Sequence, residues 1–380
     1  LFFQHNPFEN VWGHMSWGHA VSEDLITWTE LPVAIGDDEA HAIFSGSAVV
    51  DYFNTTGFGT LENPAMVAIY TAHKHDDSHQ SQALAYSLDE GLTWVKYEAN
   101  PVLDLQLDHF RDPKVMWDTT TKSWLMSVVL PKEKKVSFYT SDNLKEWRHL
   151  SDFGPAAATD GDWECPDLFP LFVNGDTNKV KWVLVISINP GGLTGGSGTQ
   201  YFIGDFDGTT FTPKYSTEQP RWIDFGKDNY AGVTFNNEPN GKRVFIAWMA
   251  NWEHVKEHPE TSWSNAMTIP RELGLARYAH EIVLTQQPMC TPTYEINMPM
   301  PHTGIVGLQG FVRVGYNADK KVIFVDQFEA PYEISGDQLH LKVVVDQSSV
   351  EVFTGDGIRA ITLAIFLPPG TGRDLASFTE

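Results

Sequence analysis

Residues 17–32 read WGHAVSEDLITWTELP, and the same pattern returns further along the chain. YSLDEGLTWVKYEANP (86–101) and YTSDNLKEWRHL (139–150) also run from an apolar strand end through Ser and an acid to Trp, and GDFDGTTF (204–211) is a looser copy. Because Ser and Asp side chains hydrogen-bond the backbone of tight turns, each copy predicts a hairpin whose Trp packs on the next sheet. The alternative interpretation is coincidence among common turn residues.

Short runs rich in Val, Ile, Phe and Tyr fill the rest of the sequence, for example SAVVDYF, AMVAIYTA, SWLMSVVL, KWVLVISI and RVFIAWMA. Almost no stretch has helical periodicity over ten residues, so the pattern predicts an all-β protein. A repeat of roughly 40 to 60 residues built from short strands is typical of a propeller blade. After residue 273 the pattern changes, and the alternating strands of 340–368 indicate a β-sandwich. We therefore expect a propeller domain over 1–277 and a sandwich domain over 278–380.

Composition narrows the class of partner. The 380 residues carry 49 acidic and 26 basic side chains, for a net charge of −23, so we expect neither nucleic acid nor an anionic membrane surface as a partner. Aromatic residues are abundant and suit a neutral polar ligand such as a sugar, although the charge alone is also consistent with simple solubility. The two cysteines, Cys165 and Cys290, give neither a disulfide framework nor a zinc-type cluster.

Two acidic corners are the best candidates for chemistry: HFRDPKVMW (109–117) and DWECPDLFPL (162–171). In a propeller, polar residues at the ends of inner strands converge on one axial funnel. We expect Arg111 to help keep Asp112 ionised. We expect Trp163 and Cys165 to desolvate Glu164, which favours the protonated form and suits a general acid. The alternative for each corner is a charged surface turn.

Two other stretches carry weaker signals. HKHDDSH (73–79) could supply metal ligands, but an acidic polar loop is the better interpretation. NPGGLTGGSGTQ (189–200) lacks the strand-to-helix setting and the Lys of a phosphate-binding loop, so we interpret it as a loop whose glycines allow tight turns.

Taken together, the motifs resemble glycoside hydrolase family 32, the β-fructofuranosidases, which include invertases, exo-inulinases and levanases. The matching stretches follow the family's order along nearly the whole chain: LFFQHNPF (1–8), WGHMSWGHAVSEDLITWTELP (12–32), FSGS (44–47), FRDPKV (110–115), WECPDLF (163–169), GGSGTQYFIGDFDGTTF (195–211), IDFGKDNYAGVTF (223–235), WMANW (248–252), AMTIPREL (266–273) and DQSSVEVFTGDG (346–357).

The resemblance implies a five-bladed β-propeller followed by a β-sandwich, and a secreted enzyme that releases terminal β-D-fructofuranosyl units from sucrose, inulin or levan with retention. It implies that Glu164 is the acid/base and that Asp112 stabilises the transition state. It implies no metal and no organic cofactor, and a fructose-containing oligo- or polysaccharide as the partner. The residues that it places around one fructosyl ring are Gln4, Trp12, Phe44, Ser45, Arg111, Tyr230 and Trp252.

The sequence also departs from the family. The family's nucleophile is an aspartate in a WMNDPNG-type motif just before the FFQ strand, and these 380 residues contain no such motif. We expect a piece of a longer product, with an incomplete first blade and, around 286–304, a shortened sandwich; a degenerate homologue is the alternative. A fructoside-binding protein without catalysis and a fructosyltransferase are the competing functions.

Overall fold

The computed structural model describes residues 1–76, 78–257, 265–299, 304–308, 312–334, 336–365 and 375–379. Within these ranges the protein consists of 29 β-strands and two short 3₁₀-helices, Pro131–Glu133 and Val255–Glu257, without an α-helix. The all-β prediction is confirmed. No helix in the described ranges has the length and apolar character needed to cross a bilayer.

The first three sheets are antiparallel and follow one another along the chain. The first contains β1 (Phe2–His5), β2 (Ser16–Val21) and β3 (Thr29–Ile35); the second contains β4 (His41–Val50), β5 (Met66–Lys74), β6 (Gln80–Ser87), β7 (Val95–Lys96) and β8 (Leu103–Leu107); the third contains β9 (Arg111–Asp118), β10 (Ser123–Leu130), β11 (Lys135–Ser141) and β12 (Arg148–Phe153).

The next eight strands form two antiparallel groups that a single parallel pairing, Val173 with Leu275, joins. We describe these groups as the fourth and fifth sheets. The fourth contains β13 (Asp162–Val173), β14 (Asp176–Asn189), β15 (Gly198–Phe206) and β16 (Phe211–Pro213); the fifth contains β17 (Tyr230–Thr234), β18 (Arg243–Trp248), β19 (Arg271–Tyr278) and β20 (Glu281–Pro288).

Two further antiparallel sheets follow in the C-terminal part of the chain. One contains β21 (Tyr294–Pro299), β26 (Gln338–Val345), β27 (Ser349–Thr354) and β28 (Ala360–Ala364); the other contains β22 (Gly304–Leu308), β23 (Val312–Asn317), β24 (Val322–Val325), β25 (Phe328–Pro331) and β29 (Leu375–Thr379). A core that includes Val314, Ile323, Leu341, Val352 and Ile361 lies between them.

Each of the first five sheets packs face to face on its neighbour in the sequence. Separate apolar clusters fill the four spaces, and burial of these side chains is the main favourable term in such packing. Representative members are Trp17 and Tyr70 between the first and second sheets, Leu84 and Met126 between the second and third, Phe138 and Ile186 between the third and fourth, and Val185 and Phe245 between the fourth and fifth.

The repeated stretches form the predicted hairpins. In the first copy the Ser22 hydroxyl accepts a hydrogen bond from the backbone N–H of Leu25 at 2.7 Å, and Asp24 accepts those of residues 26 and 27. The corresponding Ser–backbone bonds of the second and third copies are 2.9 and 2.8 Å long. The looser copy uses Asp207 in the same way. The serine and acidic positions of the repeat are therefore turn residues.

The tryptophans of the repeat differ from the prediction. Each indole N–H donates to a carbonyl of its own turn: Trp28 to Leu25, Trp94 to Gly91 and Trp147 to Leu144. Trp94 also packs edge-on against Phe2, with ring centroids 5.4 Å apart. Phe2 belongs to the preceding sheet and not to the next one, so the expected direction was wrong at this copy. The indole both closes its turn and covers the neighbouring sheet.

A buried arginine ties the fifth sheet to the C-terminal sheet that contains β27 and β28. Arg271 on β19 is fully buried and donates to Asp224 at 2.9 Å, Gln286 at 2.8 Å, Glu351 on β27 at 2.7 Å and Thr362 on β28 at 2.6 Å. Its guanidinium also lies 4.9 Å from the ring centre of Phe353. The carboxylates of Asp224 and Glu351 have almost no solvent contact, and Arg271 is the cation that pairs with both of them.

Candidate active site

The first strands of the second, third, fourth and fifth sheets share an irregularity. In β4 the pairing register shifts at Phe44 and Ser45, and in β9 it shifts just after Arg111. In β13 it shifts after Glu164, and in β17 after Tyr230. A bulge bends its strand and re-aims the side chains beside it. Three bulges contain a non-glycine residue with positive φ: Asp112 at 64°, Cys165 at 47° and Ala231 at 53°.

These four strands are tied to one another. The Ser47 hydroxyl donates to the carbonyl of Pro113 at 3.1 Å and so joins β4 to β9. Thr234 on β17 donates its backbone N–H to Asp167 on β13 at 2.7 Å. Asn236, just after β17, donates to the carbonyl of Ala48 on β4 at 3.0 Å. The bulges of all four sheets are therefore brought to one place.

The two acidic corners meet there. Arg111 donates to Oε1 of Glu164 through Nη2 at 2.9 Å and through Nε at 3.3 Å. The backbone N–H of Cys165 donates to Oδ2 of Asp112 at 3.0 Å. The Tyr230 hydroxyl donates to the other oxygen of Glu164. Side chains from β9, β13 and β17 thus form one cluster, and the prediction that the two corners converge is confirmed.

The electrostatics of the two carboxyl groups differ from the expectation. Arg111 lies 3.9 Å from Asp112 but 2.9 Å from Glu164, so its closer partner is Glu164. Burial raises the pKa of Asp112 to about 6, an effect that the positive charge of Arg111 only partly offsets. Arg111 therefore favours the ionised form of Asp112, as expected, but desolvation is the larger effect.

The two sequence neighbours of Glu164 do not enclose its side chain. Trp163 is fully buried and donates its indole N–H to the carbonyl of Ala158. Because successive side chains of a strand point to opposite faces, Trp163 and Glu164 lie on opposite faces of β13. The Glu164 side chain keeps 23% of its area exposed, and both of its oxygens accept hydrogen bonds, from Arg111 and from Tyr230. Its surroundings are polar and open on one side.

An aromatic wall continues from Tyr230. Its ring lies 6.3 Å from that of Trp248, which lies 5.1 Å from that of Trp252. Trp252 is 42% exposed. Burial, followed by the nearby charge of Glu164, raises the pKa of Tyr230 well above its usual value, so its hydroxyl stays protonated and donates a hydrogen bond to Glu164.

The remaining predicted residues form a second group on the first two sheets. Trp12, 65% exposed, lies edge-on 6.2 Å from Phe44, and the side chain of Gln4 donates to the carbonyl of Ile43 at 3.0 Å. Phe44 stacks on His73 at 4.4 Å, and Ser45 lies half-buried in the same bulge. All nine predicted residues therefore lie on strands or loops of the first, second, third, fourth and fifth sheets.

Sequence reasoning missed a buried support beneath the acidic corners. Lys114, two positions after Asp112, donates to the carbonyl of Thr234 and lies 3.7 Å from Asp167, three positions after Glu164. Burial lowers the pKa of Lys114, which the charge of Asp167 partly opposes. The signal was present in both motifs, which read RDPK and ECPD, each with a second charged residue shortly after the first.

The glycine-rich loop is fixed by the WMANW motif. The buried Asn251 side chain accepts from the backbone N–H of Ser197 at 3.1 Å and donates to the carbonyls of Gly195, Ser197 and Lys227 at 3.0–3.1 Å. Gly196 has φ 61°, and a Cβ there would lie 2.0 Å from Asn251 Oδ1. The loop therefore packs beside Trp252, whose backbone N–H donates to Ser197 at 2.9 Å.

The histidine-rich stretch contacts two residues from other parts of the chain, Asp38 and Asp104. His75 bonds the carbonyl of Asp38 at 3.0 Å, and His79 lies 3.2 Å from Asp104. In the ranges that the structure describes, no group of three or more His, Cys, Asp or Glu side chains has an arrangement that could hold a metal ion.

Comparison with known proteins gives the family. The model of the glycosyl hydrolases family 32 N-terminal domain matches residues 1–288, and that of the family 32 C-terminal domain matches 304–380. A levanase of Bacillus subtilis is 38% identical over 99% of this chain, which spans 63% of the levanase. An extracellular exo-inulinase of Aspergillus niger is 37% identical over 96% of this chain and 84% of its own length.

Comparison with solved structures points to the same family. An exo-inulinase of Aspergillus awamori superimposes with a TM-score of 0.91 at 35% identity, covering 100% of this chain and 91% of its own. A β-fructofuranosidase of Schwanniomyces occidentalis, solved with fructosyl-erythritol, gives 0.87 at 30% identity over 100% and 88% of the two chains. On these matches, which run through both acidic corners and the C-terminal sheets, the chain belongs to glycosyl hydrolase family 32.

Proposed function

We propose that this chain is the fructosidase part of a β-fructofuranosidase that releases terminal fructosyl units from sucrose, inulin or levan. The observation that carries the proposal is that Arg111 lies between two carboxyl groups in a chain of this family. Its guanidinium is 2.9 Å from the carboxyl group of Glu164 and 3.9 Å from that of Asp112. The levanase and exo-inulinase relatives and the neighbour with bound fructosyl-erythritol support a fructoside as the substrate.

Glu164 serves as the acid/base in this proposal. A retaining glycosidase needs one carboxyl group that protonates the leaving oxygen and then, as a carboxylate, deprotonates water. Glu164 is partly exposed, and both of its oxygens accept hydrogen bonds, from Arg111 and Tyr230, which suits the carboxylate that follows departure of the leaving group. The exposed side provides a route for the leaving sugar and then for water.

Asp112 holds the fructosyl ring. It is buried and fixed by the Cys165 N–H at 3.0 Å, so its free lone pairs can accept hydroxyl groups of the sugar. Such charge-assisted bonds are about twice as strong as neutral ones. Gln4, Trp12, Phe44, Ser45, Arg111, Tyr230 and Trp252 complete the pocket.

The nucleophile of the retaining mechanism is the aspartate of the family's WMNDPNG-type motif. The resemblance places it just before the FFQ strand, and the 380 residues do not include that motif. We propose that these residues supply the acid/base and the stabiliser, and that the complete reaction requires the aspartate motif ahead of Leu1.

We also propose a five-bladed propeller over residues 1–277 and a sandwich over 278–380. The first five sheets with their four intervening cores support five blades. The predicted boundary at residue 277 divides the hairpin of β19 and β20, although both strands belong to the fifth sheet, and it stays a prediction. Extracellular relatives support secretion.

The test uses two proteins: the 380-residue chain, and the same chain with the family's aspartate motif joined ahead of Leu1. We expect the first to bind fructose, and the second to release fructose from sucrose and to form methyl β-D-fructofuranoside in aqueous methanol, which records retention. Binding without release by the second protein would indicate a fructoside-binding protein. Transfer to sugar that exceeds hydrolysis would indicate a transferase, and an absence of binding would refute the proposal.

Replacing Asp112 with Asn is expected to stabilise the fold and weaken fructose binding. The folded pKa of about 6 lies above the unfolded value of 3.8, so the wild type loses stability as the pH rises through that window. The difference corresponds to about 3 kcal/mol at pH 7. Urea unfolding should show Asp112→Asn more stable by up to about that amount at pH 7 and nearly equal to wild type at pH 4.

Calorimetry should show fructose affinity at least about tenfold lower in Asp112→Asn, because a charge-assisted hydrogen bond contributes about 1.5–3 kcal/mol. Asp205→Asn is the control, since Asp205 is exposed and pairs with Lys181. An equal stability difference at pH 4 and pH 7 would show that ionisation of Asp112 is not costly.

A further inference from the structure

The backbone of Asp112 is held from the neighbouring sheet. Its N–H donates to the hydroxyl of Thr71 on β5 at 2.9 Å, and that hydroxyl donates to Gln82 Oε1 on β6 at 2.9 Å. Gln82 in turn donates to the carbonyl of Phe110 at 2.8 Å. Thr71 and Gln82 have no exposed area. Two buried side chains of the second sheet thus grip the peptides on either side of Arg111.

A second glutamine extends this network toward the pocket. Gln80 on β6 accepts the backbone N–H of Phe110 at 3.0 Å, and its amide nitrogen lies 3.5 Å from Nδ1 of His73. His73 stacks on Phe44, one of the pocket aromatics, at 4.4 Å. The same cluster therefore reaches both Asp112 and Phe44 on β4.

The grip is needed because the conformation of Asp112 is unfavourable. At φ 64° it occupies the left-handed region, which costs a non-glycine residue on the order of 1–3 kcal/mol and persists only where the surroundings fix it. Buried polar networks of this kind rigidify a structure when every member is satisfied. The surroundings here are the Thr71 hydroxyl on the backbone and the Cys165 N–H on the carboxylate.

We propose that Thr71, Gln80 and Gln82 form a clamp that sets the direction of the Asp112 carboxylate and so determines how tightly the site holds a fructosyl ring. They are positioning residues, since each acts through the backbone of residues 110–112. The part of the inference that concerns the sugar rests on the proposed function, whereas the part that concerns the carboxylate does not.

Removing the Thr71 hydroxyl gives a specific result. The buried N–H of Asp112 would lose its acceptor, at a cost of about 1–3 kcal/mol. Because the residue is already strained, the easiest relief is rotation of the Arg111–Asp112 peptide, which carries the carboxylate away from the Cys165 N–H. The charged and titratable groups that face Asp112 are Arg111 on its own strand, Glu164 and Cys165 on β13 and Tyr230 on β17.

The experiment uses the full 380-residue chain with ¹³C-labelled Asp carboxyl groups, and Asp112→Asn assigns the signal. The wild-type signal should titrate with a pKa of about 6. Thr71→Val keeps the shape and removes the hydroxyl, and we expect its midpoint to rise by about 1 pH unit as the Cys165 bond to the charged form is lost. Thr71→Ser keeps the hydroxyl and should titrate like the wild type, although it loses a buried methyl group.

Fructose affinity is the second readout. We expect a roughly tenfold loss in Thr71→Val and almost none in Thr71→Ser, because a hydrogen bond to a charged group contributes about 1.5 kcal/mol or more. The control is Thr140→Val on β11, a buried threonine that bonds Ser123 at 3.0 Å; it should lose stability without change in either readout. Gln82→Met is the second test variant and should move both readouts in the direction of Thr71→Val.

The outcomes separate the two claims. A raised midpoint in Thr71→Val but not in Thr71→Ser supports the clamp even if the wild type fails to bind fructose, a failure that would count against the proposed function alone. If Thr71→Val and Gln82→Met fold and both titrate and bind like the wild type, the clamp is refuted. Equal effects of Thr71→Val and Thr71→Ser would also refute it, since they would point to packing.

Discussion

Replacing Glu164 with Gln will lower kcat on sucrose by about 10²- to 10⁴-fold, the usual contribution of a general acid/base. The measurement uses the protein that carries the family's aspartate motif. An amide can keep the bond from Arg111 but can neither protonate the leaving oxygen nor deprotonate water. The fold should change little, because the side chain is 23% exposed and glutamine keeps its size and its ability to accept the bond from Arg111.

A second substrate distinguishes the loss of the acid/base group from a structural effect of the substitution. An aryl β-fructofuranoside needs little protonation of its leaving group, so its first step should survive in Glu164→Gln, and added azide should restore turnover by attacking without a base. Glu272→Gln is the matched control and should be fully active, because the side chain of Glu272 is exposed and pairs with the exposed side chain of Lys242. Near-normal turnover of Glu164→Gln on sucrose, or equal losses on both substrates without azide rescue, would remove Glu164 from the acid/base role.

Replacing Arg271 with Met will destabilise the protein by about 3–5 kcal/mol, the usual cost of leaving a buried charge without its partner. Arg271 has no exposed area, and its partners Asp224 and Glu351 keep 3% and 1% of their side-chain area exposed. Burial raises the pKa of Glu351 even with the arginine present, so without it the carboxylate becomes costlier still.

Urea unfolding of three variants, each compared with the wild type, tests this prediction. Arg221→Met is the control, because Arg221 also bonds a carboxylate at 2.7 Å, but that partner, Glu281, is 48% exposed. Exposed pairs contribute about 0–1 kcal/mol, so the control should lose little. Arg271→Lys should fall between the two, since an ammonium cannot make the paired bonds of a guanidinium. A loss below about 1 kcal/mol in Arg271→Met would show that the cluster does not join the two parts of the chain.

The sequence alone predicted the elements that depend on local chemistry. Turn-forming Ser and Asp side chains located the hairpins, and short β-rich runs predicted the all-β fold. The two acidic corners were identified because an acid before Pro or Cys-Pro, beside aromatic residues, is unusual in a solvated turn. Their meeting in space required a propeller, which the repeat suggested.

Properties that depend on contacts between distant strands could not be predicted. Arg111 is adjacent to Asp112 in the chain but bonds Glu164, because the bulge in β9 turns its side chain toward β13. Thr71 and Gln82 lie in unremarkable β-runs, and their role is visible only once β6 lies beside Phe110. Arg271 stood in a family motif with no local sign that its partners come from β27 and β28.

A crystal structure of the 380-residue chain soaked with fructose addresses whether both acidic corners serve one sugar. We expect a single furanose ring between Asp112 and Glu164, with at least one hydroxyl within hydrogen-bond distance of the Asp112 carboxylate and the Trp12 and Trp252 indoles at its edges. Fructose bound elsewhere, with Asp112 and Glu164 untouched at saturating sugar, would contradict the site and the function built on it.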